Sequence, residues 1–418
     1  MINITDKTQC CGCEACMQIC PKHCISYSQD AEGFSYPFVN MDLCIHCGLC
    51  DKICTVLNQN QQCEPKKVFA AINQDYDIRY ESSSGGVFSL LANYVIEKGG
   101  VVFGVCFDAQ WRAVIDIAET KEDARKFRGS KYVQASIGNS YSYCEKYLLD
   151  GRMVLFSGTP CQISGLLHYL RKPFSNLLTV DIICYGVPSP LIWQRYLNEI
   201  VELTNPKVLR SQIKRIQKSL TYNLNYENIG QGKVGLVSPA NRNYYMRAFL
   251  SGLSIRPSCS DCPAKGGASH SDITLGDCWG IQDIQPSMDD NKGISAVMIH
   301  TEKGEKLFES LHVMKRRIDY NEIKQHNKAV FKSAVLHSER DTFFKKIIVS
   351  ENVNDCLKEY TQLSLRERIT KMKSIMSKLK IDKYNISTEP HLTSISFRNK
   401  KDGWRQYALY WLFLTEKN

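Results

Sequence analysis

The sequence predicts an α+β / α/β multidomain protein: a small cysteine-rich module over residues 1–60, a mixed-sheet α/β domain over 68–320 and a helical, basic region over 321–418. Three observations predict it. A chain of 418 residues is too long for one hydrophobic core. Two copies of one cysteine spacing occupy residues 10–54. From Val68 onward, short apolar runs alternate with helical patterns, the texture of a sheet with several parallel strands.

Hydrophobic residues make up 43% of the chain and charged residues 23%, ordinary values for a globular protein. Met1 to Gln9 has no apolar core of the secretory kind, and no apolar run approaches the ~20 residues that span a bilayer. The expected location is therefore cytoplasmic, where 19 cysteines argue for metal ligation rather than disulfides. The net charge of +10 is concentrated in 366–383 and 398–401. A basic surface suits nucleic acid, a membrane face or an acidic partner. With no nucleic-acid-binding motif present, no nucleic-acid partner is expected.

The first motif is Cys10-x2-Cys13-x2-Cys16-x3-Cys20 followed by Pro21, and the second is Cys44-x2-Cys47-x2-Cys50-x3-Cys54 followed by Thr55. This is the bacterial two-cluster ferredoxin run, in which three cysteines of each motif hold one 4Fe–4S cluster and the fourth crosses to the other. Cys10, Cys13, Cys16 and Cys54 then form one ligand set, and Cys44, Cys47, Cys50 and Cys20 the other. Cys11 adjoins Cys10, but only Cys10 keeps the x2 spacing to Cys13. Zinc also takes Cys-x2-Cys pairs, and two complete four-cysteine runs argue against it. Gly33 to Val39 reads as a short hairpin between the motifs.

Asn58 to Lys67 is polar, contains Pro65 and reads as a linker. Strands are expected at Val101–Phe107, Met153–Phe156 and Leu177–Ile183, and helices at Val87–Glu97, Ile137–Leu149, Gln162–Leu170 and Leu191–Leu203. Leu220–Val237 reads as an antiparallel hairpin, which makes the sheet mixed. Thr301 is placed to cap a helix running to Met314, and from Glu322 the chain reads mostly helical. Gly230-Gln231-Gly232-Lys233-Val234-Gly235 matches a dinucleotide fingerprint, but no helix follows it, so nucleotide binding is not expected there.

Cys161 follows a strand through Ser157-Gly158-Thr159-Pro160 and opens a helix, whose N-terminus favours thiolate. Cys184 ends the next strand. If these strands are parallel, both cysteines stand at the carboxyl edge of the sheet. With Cys259-x2-Cys262 they make a set of four. Two buried core thiols beside a zinc-binding or idle Cys-x2-Cys remain the alternative. Ser82-Ser83-Ser84-Gly85-Gly86 leads into a helix and could hold an anion, or could simply cap it. Gly129-Ser130-Lys131-Tyr132 supplies a turn, a cation and an aromatic, or is an ordinary turn.

Taken in order, Ser82–Gly86, Gly129-Ser130-Lys131-Tyr132-Val133, Ser157-Gly158-Thr159-Pro160-Cys161-Gln162, Cys184-Tyr185-Gly186-Val187-Pro188-Ser189 and Asp272-Ile273-Thr274-Leu275-Gly276-Asp277-Cys278-Trp279-Gly280 resemble the coenzyme F-420 hydrogenase/dehydrogenase beta-subunit family over roughly Val68 to Met314. The resemblance implies a non-covalent FAD with a 4Fe–4S cluster beside it. The cluster's ligands would be Cys161, Cys184, Cys259 and Cys262. The flavin contacts would come from Ser82, Ser83, Ser84, Gly85 and Gly86, from Gly129, Ser130, Lys131 and Tyr132, and from Gly158 and Thr159. Tyr185 stands where relatives often carry histidine, and Cys278 where they often carry phenylalanine. Similar chains with a fused ferredoxin occur in bacteria that lack the deazaflavin, often among surface-polysaccharide genes.

The expected function is then an FAD-dependent iron–sulfur oxidoreductase. It would pass electrons between a ferredoxin-like donor, three 4Fe–4S clusters and FAD to an organic acceptor. The alternative is an electron-transfer subunit with no substrate of its own, serving a partner enzyme. His168, His270 and Asp277 are unranked candidates for a proton donor. In the C-terminal region, Leu365, Ile369, Met372, Met376 and Leu379 recur at helical spacing among lysines and arginines, and aromatics follow from Trp404. Packing on the α/β domain is the expected role of that stripe, and peripheral contact with an anionic membrane is its alternative.

Overall fold

An eight-stranded mixed sheet, in the order β10-β3-β9-β8-β7-β6-β4-β5, organises the computed structural model. The structure describes residues 1–202 and 243–362. The expected hairpin at Leu220–Val237, the glycine motif at 230–235 and the basic stripe beyond Leu365 lie outside the described residues. Met1–Thr361 make one compact unit, so the cysteine-rich segment is built into the body of the fold.

The strands of the large sheet are β3 (Lys67–Ile72), β4 (Val101–Phe107), β5 (Ala113–Ala118), β6 (Val154–Gly158), β7 (Leu177–Ile182), β8 (Ile273–Asp277), β9 (Ser295–Ile299) and β10 (Met314–Arg317). The pairs β4–β6, β6–β7 and β7–β8 are parallel, while β9 is antiparallel to both β8 and β3. Strands β3, β4, β6, β7 and β8 therefore all point one way, and their carboxyl ends share one edge. Every residue of β6 and β9 is buried, as expected of central strands covered on both faces.

The helices are α1 (Ala15–Ile19), α2 (Leu49–Lys52), α3 (Tyr76–Glu81), α4 (Val87–Glu97), α5 (Lys121–Ala124), α6 (Ser140–Leu149), α7 (Pro160–Leu170), α8 (Pro190–Glu202), α9 (Tyr244–Leu250), α10 (Ile281–Ile284), α11 (Glu302–Ser310), α12 (Tyr320–His326), α13 (Arg340–Val349) and α14 (Val353–Thr361). Successive strand residues feed opposite layers, the period-two rule of a strand. Val102, Leu155, Leu178 and Val297 pack with Val87, Leu91 and Val95 of α4 and Phe308 of α11. Val101, Phe103, Val154, Phe156 and Leu177 face the other way, onto Tyr141 and Leu148 of α6 and Ile163 and Leu166 of α7. Ile2, Cys11, Cys13 and Cys16 join this second layer.

The expected strands and helices between 87 and 202 appear within a few residues. Ile137 lies before α6 rather than in it, because Gly138 has a positive φ of 57° and the helix starts at Ser140. The helix capped by Thr301 stops at Ser310, not Met314: Leu311 is extended, and Met314–Arg317 become the edge strand β10 beside β3. Its lysine and arginines suit an edge, where charge discourages further pairing. Thr301 does cap, accepting from the Gly304 amide at 3.1 Å.

In the N-terminal segment, β1 (Ile25–Gln29) and β2 (Ser35–Val39) form an antiparallel hairpin. Its turn is anchored at a distance. Arg340 donates to both carboxylate oxygens of Glu32, at 3.0 and 2.6 Å, and to the Ile255 carbonyl at 3.1 Å. Both side chains are largely buried, at 6% and 15% exposure. Removing one partner of such a pair strands the other charge. Arg340→Met is therefore expected to cost about 3–5 kcal/mol of stability in urea unfolding. A loss below ~1 kcal/mol, the range of an exposed pair, would show that the hairpin is not held this way.

Candidate iron–sulfur site

The loop carrying Cys10, Cys13 and Cys16 is fixed from several sides. Gly12 has φ +70°, and a Cβ there would lie 2.6 Å from the Gln134 amide and 2.9 Å from the Arg256 guanidinium. Glu14 turns its carboxylate to the Gly138 amide at 2.9 Å and the Ser136 hydroxyl at 3.2 Å. Burial raises the pKa of the Cys16 thiol, and Cys13, Cys10 and Cys54 add to the effect. Burial likewise raises that of Cys54, which also feels Cys13 and Cys10. These four thiols, one of them from the second motif, share one buried locus.

Cys20 crosses the other way. With Cys24, Cys44, Cys47 and Cys50 it lines a small solvent-open hollow, to which Met1 and Ile25 also contribute. Cys47 is exposed and Cys50 accepts from the Ile2 amide at 3.4 Å. Cys24 is not among the expected ligands, yet its sulfur is 3.3 Å from that of Cys20. Its only mark in the sequence is a position four residues after Cys20.

The third set gathers at the carboxyl edge of the sheet. Cys161 is the second residue of α7, three positions after β6, and Cys184 lies two residues after β7. The Arg256 amide donates to the Val187 carbonyl at 3.0 Å, and Pro188 bridges to Ile255, which lays the chain after Cys184 along the turn bearing Cys259 and Cys262. A Cβ on Gly186 would be 3.6 Å from the Cys259 sulfur. Burial raises the pKa of Cys184, which feels Cys259, Cys161 and Cys262. Burial pushes Cys259 up to about 11 and Cys262 up to about 12. Cys161 goes the other way, to about 7, because the Cys11 thiol donates to its sulfur and the Thr159 hydroxyl, 3.3 Å away, adds to the effect.

Cys11 thus joins two sets. It meets the sulfurs of both Cys13 and Cys161. Helix α7 seals the junction: a Cβ on Gly165 would lie 2.9 Å from the Cβ of Cys13 and 2.9 Å from the Tyr141 hydroxyl. Among the described residues no group of three or more His, Cys, Asp or Glu side chains is arranged to hold a metal ion. Four sulfurs on one zinc would stand about 3.8 Å apart, given tetrahedral bonds of about 2.3 Å.

Two of the segments expected to touch a flavin meet. Ser83 accepts from the Ser130 amide at 2.6 Å and meets the Ser130 hydroxyl at 3.0 Å. The serines do not cap α4. Ser82 and Ser84 donate to the carbonyls of Ile78 and Ile294, and the N-cap is Gly86, which has no side chain to give. Gly129 has φ +83° and open space where a Cβ would be. Lys131 is turned inward, donating to the carbonyls of Lys126 and Arg128 at 3.1 and 3.0 Å, and burial lowers its pKa to about 7. Gly158 is buried against Gln162, and the Thr159 amide donates to the Gln162 side chain at 2.9 Å. Asp277 at the end of β8 is held above the usual carboxylate range by burial, with Ser84 as a hydrogen-bond partner. His168 and His270 lie elsewhere, beside the Thr55 hydroxyl and the Gln61 carbonyl. Tyr185 donates to the Leu250 carbonyl at 3.1 Å, and Cys278 is buried.

Residues 68–140 match the N-terminal part of the coenzyme F420 hydrogenase/dehydrogenase beta-subunit family, and residues 151–326 match the C-terminal part of the same family. Together they span more than half of the chain, which belongs to this family of iron–sulfur electron-transfer subunits. An uncharacterized protein of Methanocaldococcus jannaschii is 22% identical, with 73% of this chain and 87% of that protein covered. A chain of the F420-reducing [NiFe] hydrogenase complex from Methanosarcina barkeri is 16% identical, with 75% of this chain and 94% of that chain covered and a TM-score of 0.41. At that score the likeness decides nothing about this fold.

The tightness at Gly165 yields a measurable consequence. Gly165→Ala forces a methyl group against Cys13 and Tyr141, and overpacking of this kind typically costs about 1–3 kcal/mol. The variant is expected to melt lower and to retain less iron than the parent. Unchanged melting and iron content would mean that α7 does not fix the Cys13 loop.

Proposed function

We propose that this chain serves a partner oxidoreductase, rather than a substrate of its own, as an electron-transfer subunit with three 4Fe–4S clusters and FAD. What supports the proposal is that cysteines from distant segments lie near one another: Cys54 near Cys13 and Cys10, Cys20 near Cys44, Cys47 and Cys50, and Cys161 near Cys184, Cys259 and Cys262, with Cys11 meeting both Cys13 and Cys161. When bound, the clusters relay single electrons, and FAD exchanges two.

The residues divide the work. Cys10, Cys13, Cys16 and Cys54 would hold the first cluster in the protein interior. Cys20, Cys44, Cys47 and Cys50 would hold the second, at the surface, where exposed Cys47 suits exchange with a ferredoxin-like or oxidoreductase partner. Cys161, Cys184, Cys259 and Cys262 would hold the third at the sheet edge. The paired Ser83 and Ser130, the open backbone at Gly129 and the uncapped start of α4 offer the flavin's phosphates donors and room.

A second reading is an enzyme with a small organic acceptor, as the sequence first suggests. In its favour is a small solvent-open hollow beside Cys184, lined by Pro160, Asp181, Lys265, Thr274, His300 and Tyr320. A change in flavin spectrum on adding a reducible compound to the isolated chain would favour it. Reoxidation only by a partner protein favours the electron-transfer role.

Anaerobically purified protein is expected to contain about twelve irons, as much acid-labile sulfide and one FAD, four irons belonging to each cluster. Cys161→Ser should leave about eight. Iron near eight in the parent would remove the third cluster, and twelve in the variant would remove Cys161 from its ligands.

Lys131 sets a pH dependence. Burial puts its pKa near 7 without ligand, so it is a cation below that pH and neutral above it. A flavin phosphate nearby would favour the charged form and raise its pKa. FAD affinity is then expected to be highest below pH 7 and to fall as the pH rises above it, and Lys131→Met should flatten the profile. Equilibrium dialysis from pH 6 to 9 reads this directly. The same profile in both proteins would take Lys131 out of the flavin site.

A further inference from the structure

Two buried cations stand among the thiols, and among the described residues neither is in direct contact with a carboxylate. Arg256 is fully buried. Its Nε donates to the Cys10 carbonyl at 2.7 Å, one Nη to the Ser35 carbonyl at 2.9 Å and the other to the Gln134 side-chain oxygen at 3.1 Å. The Nη that reaches Ser35 also lies 3.6 Å from the Cys10 sulfur. Tyr36 covers the guanidinium, its ring centre 4.3 Å away. Lys265 is 5% exposed, and its ammonium donates to the carbonyls of Cys184 and Ala329. Among the described residues neither cation has a carboxylate within 4 Å. Glu14 feels the charge of Arg256 from further off, its carboxylate bonded to the Gly138 amide and the Ser136 hydroxyl and held above the usual carboxylate range by burial.

An arginine cannot shed its proton inside a protein, and a buried charge without a counter-charge is costly. Carbonyls and an aromatic face solvate the guanidinium but do not neutralise it. Sulfur lies near each cation: Cys10 beside Arg256, whose charge also reaches Cys161 and Cys259, and Cys184, Cys259 and Cys262 near Lys265, three residues past Cys262. Four thiolates on a cubane make an anion, and reduction adds one more negative charge. A fixed cation beside it makes that added electron easier to accept, one of the levers that set cluster potentials. The Cys20, Cys44, Cys47 and Cys50 cavity has no buried cation in its lining; Lys22 and His46 there are exposed.

We propose that Arg256 and Lys265 are the built-in counter-charges of the first and third clusters, Arg256 acting most on the first and Lys265 on the third, and that they raise the electron affinity of these two while the second is left to solvent. The proposal rests on the three-cluster reading above. The two cations are positioning residues: they bind no iron, and they act on the clusters through charge alone.

The test is a potentiometric titration followed by electron paramagnetic resonance, on the full chain purified anaerobically, with iron counted in every sample. Arg256→Gln should weaken the one-electron reduction of one cluster at least tenfold, about 59 mV for one electron, shift a second by less, and leave the solvent-facing cluster within threefold. Arg256→Lys should stay within threefold of the parent. Lys265→Gln and Lys265→Arg should repeat the pattern on a different cluster signal, and this pair decides if Arg256→Gln holds too little iron to titrate. Glutamine variants within threefold of the parent, or glutamine and charge-keeping variants that shift alike, overturn the proposal while the clusters stand. A parent protein without iron–sulfur signals overturns the three-cluster reading and, with it, this inference.

Discussion

The seating of the Cys10–Cys16 loop against α7 governs the rest of the site. The loop has no regular structure beyond one short helix, and so cannot hold three thiols in place by itself. It is fixed by what it touches: Arg256 on the Cys10 carbonyl, Ser136 and Gly138 on Glu14, Gly165 against Cys13. The helix that supplies Gly165 also supplies Cys161, one turn earlier. The separation of the first and third thiol sets is therefore a property of a single rigid element. Electron exchange between two buried centres needs a fixed, short gap, and a shared helix provides one without a loop that could drift.

The sheet contributes by direction. Strands β3, β6, β7 and β8 share one sense, and each releases its chain at the same edge, where α/β proteins place their sites. The serine–glycine loop follows β3, Thr159 and Cys161 follow β6, Cys184 follows β7, and Asp277 ends β8. Four segments far apart in sequence converge because parallel pairing leaves them no other side. The Cys259–Cys262 turn reaches the same place by lying along the chain that follows Cys184.

Much of this can be read from the chain itself, and the exceptions have physical causes. The cysteine runs announce two sets because their spacing is short and repeated, and Cys161 and Cys184 stand out because each follows an apolar strand. Arg256 and Lys265 do not stand out. A buried cation looks like any surface lysine or arginine until the fold removes its water, and only their neighbours Cys259 and Cys262 mark the stretch as unusual. Cys11 is visible but ambiguous, since its role depends on which helix lies across it. The end of α11 escapes sequence reading for a related reason: Met314–Arg317 carries too little apolar pattern to declare itself a strand, and it becomes one through pairing with β3.

Beneath the third thiol set lies a polar network that explains how a loop and a strand end can be held together. Asp181 on β7 is buried, and accepts hydrogen bonds from the hydroxyls of Ser269 and Thr274. The Thr274 hydroxyl also meets His300 at 2.9 Å. Burial holds Asp181 above the usual carboxylate range and His300 below the usual range of histidine. Each shift opposes charge. Ser269 sits seven residues after Cys262, and Asp181 three before Cys184. The bond between them ties the loop that carries one sulfur to the strand that carries another.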